Sequence, residues 1–500
     1  MSMAIMLGLA AVVAAGARPD PKAMSAAYWE KWNGEEQARI DADIEKNRKA
    51  DFVFRDSLLP PGVEVQVEQL THDFIFGAHI FNYNQLGNAE QDARYQALYG
   101  TIFNSATIAF YWQPFEPVEG HPRFQSTPSD TPEFWRTCKE PKAQPHWRRP
   151  PTDEVVDFCQ RKGIRAHGHV LAWGNYCWHM PSWLTAKATN EMPFLANAKL
   201  DSYNGNCLQF DKCAGYEAWP LEDIPRKAPE FVKALNGALV SRVSSIALRY
   251  GKRIQSWDVV NESAIDYAQE RLVPGAAFCK SLYGPMPGDY AFRTFKLAEC
   301  FFPDEVLLNI NDYVGDSRYL TQVTNLLARG CKVQVMGSQM HLFLPQQVRD
   351  IANGSDLQSP ASVRAKMELL GQAGLPIHIS EITITAPNND ALGQAQQAIV
   401  ARNLYRLWFS LKPIMGITWW NVVDGCGAPG EPAVSGLFSR QMEPKPAFHE
   451  LERLILKEWR TNLRVMSDKD GKVCFRGFRG RYRLSWLSGE GRRWVEVQVR

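Results

Sequence analysis

Apolar and polar positions change their period several times along the 500-residue chain. Residues 3–15 form an unbroken apolar run, MAIMLGLAAVVAA, that is too short to span a bilayer as a helix. It exits through Ala15-Gly16-Ala17, although no Lys or Arg precedes it. This pattern predicts a signal peptide over 1–17 and a secreted or periplasmic mature chain. Residues 25–50 are rich in Glu, Lys, Arg and Ala, as expected of a charged surface helix. Residues 52–70 then alternate, as in Val63-Glu64-Val65-Gln66-Val67-Glu68, around the turn Pro60-Pro61-Gly62. Helix and hairpin together make an N-terminal extension over 18–71.

From about residue 72 the alternation gives way to short apolar runs, each followed by a helical pattern. Strands are predicted at 73–79, 105–110, 164–171, 254–260, 305–310, 333–340, 376–382 and 415–421. Helices are predicted at 88–99, 152–162, 229–250, 289–301, 317–329, 361–374, 394–411 and 445–457. Strands that are apolar on both faces call for a parallel sheet covered by helices. Eight such units close an α/β (β/α)8 TIM barrel, here over 72–458. An open doubly wound sheet would place a Gly-rich turn after its first strand, and Phe76-Gly77-Ala78-His79 is not one. Two long excursions, 121–150 and 175–228, follow the second and third strands; loops of such length usually wall a site. Beyond Trp459 alternation returns, predicting a small β module over 459–500 placed to pair with the N-terminal hairpin.

Composition changes this picture little. Lys plus Arg number 56 against 54 Asp plus Glu, so no global field favours nucleic acid or a membrane surface. No segment after the first seventeen residues reads as apolar enough to cross a membrane, and a monomer is expected. Sixteen Trp suit stacking on sugar rings, but a large core uses them equally well. Of ten Cys, Cys159, Cys279, Cys300 and Cys331 lie in or beside apolar patterns and read as free thiols. Cys138, Cys177, Cys207 and Cys213 lie in polar stretches and are the candidates for bridges in an exported chain, Cys207–Cys213 being the simplest pair.

Chemistry in such a barrel collects at the C-terminal ends of the strands, and polar residues recur there. Strand three ends in His167-Gly168-His169 with Trp173 beyond, strand four in Asn261-Glu262, and strand five in Asn311-Asp312-Tyr313. Gln339 and His341 end strand six, His378, Ser380 and Glu381 lie on strand seven, and Trp419-Trp420-Asn421 end strand eight. Taken singly, His169 and His341 read as satisfied core histidines, and Trp173 and Trp420 as packing. Glu262 and Glu381 are different, because each directly continues an apolar strand into the barrel mouth. An ionised carboxylate there is costly without a partner or a role. Two carboxylates facing one cleft suit an acetal, one holding a proton as acid and the other staying charged as nucleophile. Asn261 is placed to bond a sugar hydroxyl, and Trp420 to floor the ring.

In order along the chain, these motifs resemble glycoside hydrolase family 10, the retaining endo-β-1,4-xylanases. The matching stretches are Gly168-His169-Val170-Leu171-Ala172-Trp173, Trp257-Asp258-Val259-Val260-Asn261-Glu262 and Asn311-Asp312-Tyr313. They continue in Gly337-Ser338-Gln339-Met340-His341-Leu342, Ile377-His378-Ile379-Ser380-Glu381 and Ile417-Thr418-Trp419-Trp420, and end in Gly436-Leu437-Phe438 and Pro444-Lys445-Pro446-Ala447-Phe448. The resemblance implies Glu262 as general acid/base and Glu381 as nucleophile, acting on a β-linked polysaccharide, xylan first. It implies Asn261 on the sugar 2-hydroxyl, and His169, Trp173, Gln339, His341 and Trp420 around that sugar, with His341 touching the nucleophile. Retention implies carboxyl groups about 5–5.5 Å apart. No cofactor or metal is implied.

Three positions depart from the family's pattern. After the second strand the family carries Glu-Asn-x-x-Lys, whereas this chain has Ala106-Thr107-Ile108-Ala109-Phe110-Tyr111-Trp112. Two residues after the nucleophile stands Thr383, where the family has Asp. The segment Asp424-Gly425-Cys426-Gly427-Ala428-Pro429-Gly430 lacks the Trp expected after strand eight, leaving Trp135, Trp147, Trp178 and Trp219 of the excursions as substitutes. The competing readings are a hydrolase of another β-glycan, a carbohydrate-binding protein on a degenerate barrel, and a metal-dependent hydrolase using His167 and His169.

Overall fold

Eight strands with almost wholly buried residues close into a parallel barrel in this computed structural model. It describes residues 18–174, 179–188, 190–191, 224–264, 290–489 and 491–500, with the two-residue strands 199–200, 208–209, 267–268 and 271–272. The predicted signal peptide lies outside the described residues, as do Cys177, Cys207, Cys213, Cys279, Trp178 and Trp219. The barrel strands are β1 Ile75–His79, β2 Ser105–Ala109, β3 Arg165–Trp173, β4 Ser256–Asn261, β5 Leu307–Asp312, β6 Val335–Gln339, β7 Ile377–Ile382 and β8 Ile414–Trp419. Every residue of β2, β6 and β7 is buried, which explains why the sequence shows apolar runs there and no alternation. The ladder closes where β8 pairs with β1, Ile417 opposite Phe76, so the open-sheet alternative is excluded.

The helices lie close to their predicted places, for example Thr152–Lys162, Ser317–Ala328 and Ala391–Ser410. One more, Pro345–Ala352, stands between β6 and the helix Pro360–Gly371. Its Pro starts the turn, and Val348, Ile351 and Ala352 face inward at helical spacing. By length and composition alone Pro229–Tyr250 would cross a membrane, with mean hydropathy 1.2. Here it covers the barrel: its Arg242 is buried and donates to the carbonyls of Phe110, Val170 and Leu171.

The flanking segments differ from expectation in one respect. Lys49–Arg55 and Glu64–Gln69 do not form a hairpin with each other. The first pairs antiparallel with Lys472–Phe478, and the second lies between Asn462–Met466 and Gly480–Ser488. As an inner strand, Glu64–Gln69 buries Val65 and Val67 against Val473, Tyr482, Leu484 and Trp486. A two-stranded ribbon would leave those valines wet, so burial favours the long-range partner. The N-terminal helix Gly34–Arg48 is charged but not free. It buries Ile40 and Ile44, and Arg406 and Arg364 reach back from the barrel helices to Asp41, Glu36 and Asp43.

Register decides where the site falls. Trp173 pairs opposite Asn261, Asn261 opposite Asn311, and Gln339 opposite Glu381, so one rim level gathers residues from β3 to β7. Irregularities interrupt the pairing at His169/Ala172, Gly337/Gln339 and Ile379/Ile382. Such bulges re-aim side chains beside active sites.

Candidate active site

Six side chains form one hydrogen-bonded chain across the mouth. Asn311 Nδ2 donates to Glu381 Oε1 at 2.7 Å and to Asn261 Oδ1 at 2.8 Å. Gln339 Nε2 donates to Asn261 Oδ1 at 3.3 Å and to Glu262 Oε1 at 3.0 Å. Trp173 Nε1 donates to Glu262 Oε2 at 3.2 Å. The two carboxyl groups that sequence places 119 positions apart are thus joined by Asn311, Asn261 and Gln339, without touching each other directly. Gly337 lets Asn311 lie where it does, since a Cβ there would come within 2.2 Å of Asn311 Oδ1.

Environment separates the two acids. Burial first, and then the charge of Glu381, push Glu262 up to about 8, against the opposing hydrogen bond from Gln339. Glu262 is therefore a neutral carboxylic acid at pH 7. It also sits at φ 54°, a left-handed backbone seldom adopted by residues with a Cβ, while its N–H is held by Asn311 O at 2.8 Å. Glu381 accepts from Asn311, and its other oxygen, Oε2, lies 3.2 Å from His341 Nε2.

Two departures from the family pattern have a structural answer. Thr383 Oγ1 lies 3.0 Å from His341 Nδ1, so a hydroxyl orients the imidazole in place of a carboxylate. We expect Thr383→Val to lower kcat/KM about fivefold through loss of one hydrogen bond of ~1 kcal/mol. Steady-state kinetics beside a thermal melt checks this; unchanged kcat/KM would show that the ring is held by packing alone. After β2, where the family pattern has Asn and Lys, the 121–150 excursion brings in two cations. Arg149 lies with its guanidinium carbon 3.8 Å over the Tyr111 ring, and Arg148 Nη2 lies 3.1 Å from His79 Nε2 and donates to Asn421 Oδ1 at 3.2 Å. Burial and then the Arg148 charge keep His79 neutral, able to accept. Glu431 receives Asn421 Nδ2 and Ala428 N, both at 2.9 Å.

An aromatic wall completes the cleft. Trp420, His169, Tyr111, Trp173 and Phe81 meet edge to face, with Trp420 to His169 at 5.6 Å between ring centroids. His169 and His167 both turn to Asp258 Oδ2, at 2.8 and 2.9 Å, and His167 also meets Ser256. Burial opposes ionisation of Asp258, but the His167 charge and hydrogen bonds from both rings hold its carboxyl well below the usual range. Among the described residues no cluster of three or more His, Cys, Asp or Glu could hold a metal.

All eight sequence-predicted site residues come together: Glu262, Glu381, Asn261, Gln339, His341, Trp173, His169 and Trp420. The other expectations fare less evenly. Trp135 and Trp147 are not open platforms; both are buried in the folded excursion. Cys138 keeps a free thiol. Asp312 accepts the N–H groups of Ala264 and Val314 at 2.8 Å each, and burial raises its carboxyl to about 7. Asn311 was visible at a strand end, whereas Arg148, Arg149 and Glu431 lie on irregular loops that no period marks.

A parallel (β/α)8 barrel whose rim carries a neutral carboxylic acid and a charged carboxylate, walled by indole, defines the glycoside hydrolase class. The profile of glycosyl hydrolase family 10 matches residues 76–453, and the chain belongs to that family. It is 22% identical over 316 residues to endo-1,4-beta-xylanase B of Thermotoga neapolitana, covering 61% of this chain and 73% of that protein. Against endo-1,4-beta-xylanase B of Butyrivibrio fibrisolvens it is 24% identical over 59% of this chain but spans only 40% of the relative. Its fold is shared with xylanase 10B of Thermotoga maritima, at TM-score 0.52 and 18% identity, over 77% of this chain and 96% of that one.

Proposed function

We propose that this protein is an endo-acting, retaining β-1,4-xylanase working by double displacement. The observation that carries the reading is the pairing of a proton-bearing Glu262 with an anionic Glu381, linked through Asn311, Asn261 and Gln339. Glu262 gives its proton to the glycosidic oxygen while Glu381 attacks the anomeric carbon, and the C–O bond to the leaving sugar breaks. Water then enters from the Glu262 side, losing a proton to that carboxylate as the bond to Glu381 breaks, and the starting configuration returns. Asn261 bonds the 2-hydroxyl of the attacked sugar, and His341 and Asn311 hold Glu381 aimed through its two oxygens. His169, Trp173, Gln339 and Trp420 line the ring. Xylan is the main-chain substrate because the named relatives are xylanases.

Reducing-end release from xylan, mannan, mixed-linkage β-glucan and carboxymethylcellulose tests this, with proton NMR following the anomers as they form. Xylan cleavage with β-anomer appearing first is expected. An α-anomer first would overturn retention, and cleavage confined to another glycan would overturn the substrate.

A further inference from the structure

The excursion after β2 is folded, and its fold delivers charge to the site. Arg123 is the hub: it forms an ion pair with Asp130 and donates to the carbonyls of Pro114 and Arg149 at 3.0 and 3.2 Å. Asp130 in turn accepts Thr127 N at 2.9 Å and Thr127 Oγ1 at 2.7 Å. The strap thus tied brings Arg148 and Arg149 back over β1 and β2. Tyr111 beneath Arg149 meets His169 at 5.3 Å and Trp173 at 5.6 Å between ring centroids, and Trp173 is the donor to Glu262. One aromatic ring therefore separates Arg149 from the partners of the acid.

Arg149 also lines a cavity of about 710 Å³, within the ~300–1,000 Å³ range of small-ligand sites. Arg123 and Lys142 line it too, with Gln144 and Ser129, and no Asp or Glu does. The charge balance around the three arginines is uneven. Arg123 has Asp130, and Arg148 has Glu431 at 3.6 Å. Arg149 is only 9% exposed, donates to the Arg148 carbonyl at 2.8 Å, and has no carboxylate partner among the described residues. Burying a cation without a counter-ion is costly. Burial accordingly pulls the guanidinium down to about 10. A planar fork of this kind matches a carboxylate in two-point geometry.

We propose that this cavity is a subsite for a uronic acid branch on the glycan main chain, with Arg149 taking the branch carboxylate. The inference rests on the xylanase reading above and adds the substrate class: an acid-decorated xylan. The acid branch supplies a direct partner that Glu431, whose charge reaches Arg149 without pairing with it, does not, and the Tyr111 ring under Arg149 links this cavity to the aromatic wall of the cleft.

Glucuronoxylan and the same polymer with its carboxyl groups reduced to alcohols share backbone and branching and differ only in charge. The wild-type enzyme is expected to favour the acidic polymer about tenfold in kcat/KM, the worth of one charge-assisted hydrogen bond. Arg149→Gln should bring that ratio towards one, and Arg149→Lys should keep part of it. Equal wild-type rates on the two polymers overturn the subsite, independently of how any variant folds. A preference that survives Arg149→Gln overturns the role of Arg149. If neither xylan is cut while another β-glycan is, the xylanase reading itself fails, and the subsite with it.

Discussion

Glu381→Ala should cost on the order of 10⁴–10⁶ in kcat on xylan, the scale seen when a nucleophile acting as part of a unit is removed. No neighbour can replace it. Asn311 and His341, which contact its two oxygens, are hydrogen-bonding groups with no free carboxylate to offer. The substitution leaves a small space lined by those groups, and added azide should occupy it. Attack by azide from that side inverts the centre, so an α-glycosyl azide is expected from an activated aryl β-xyloside. Recovery of the β-azide would show that the nucleophile has been assigned to the wrong carboxylate. Because β7 is buried along its length, a far-ultraviolet spectrum and melt should accompany the kinetics.

Removal of the acid has a different signature. Glu262→Ala should lower kcat on xylan about 10²–10⁴-fold, yet much less on aryl xylosides whose leaving group needs no proton. Here azide should give the β-azide, since it enters where water normally does after the Glu381 adduct has formed. The raised pKa of Glu262 gives this prediction a pH scale. Glu262 must be protonated to act, so wild-type kcat/KM should hold below about 8 and fall as pH rises through it. The linked effect on stability has a fixed sign. The folded state binds this proton more tightly than an ordinary carboxyl at 4.5, so the contribution is fully present below 4.5 and is lost as pH rises to about 8. Glu262→Gln removes that slope, and thermal melts at pH 5 and 9 should show the variant gaining on wild type only at the higher pH. Parallel behaviour at both would mean that Glu262 titrates normally in the fold.

Much of the site was legible because two simple periods coincide. An apolar strand announces itself by continuous hydrophobicity, and a polar residue ending it stands out, as Glu262 does after Trp257-Asp258-Val259-Val260-Asn261. Barrel closure then places every strand end on one rim. Asn311 is read the same way, though its task, bridging Asn261 to Glu381, depends on a register that only pairing sets. The N-terminal hairpin failed for a related reason. Alternation says that one face of Glu64–Gln69 is buried, but not which strand covers it, and its partners lie about 400 positions away.

The chain's own pattern thus determined the barrel, the order of its strands, and the carboxylate pair at their ends, because burial periodicity is a local property that each strand carries by itself. Tertiary structure alone decided the division of labour between the two acids, since burial and the charge of Glu381 push Glu262 up to about 8 only after folding brings them together. It also decided that Thr383 holds His341 and that Arg148 and Arg149 arrive at the mouth from a loop. Loop side chains obey no period, and their positions follow from long-range ion pairs and packing that exist only in three dimensions.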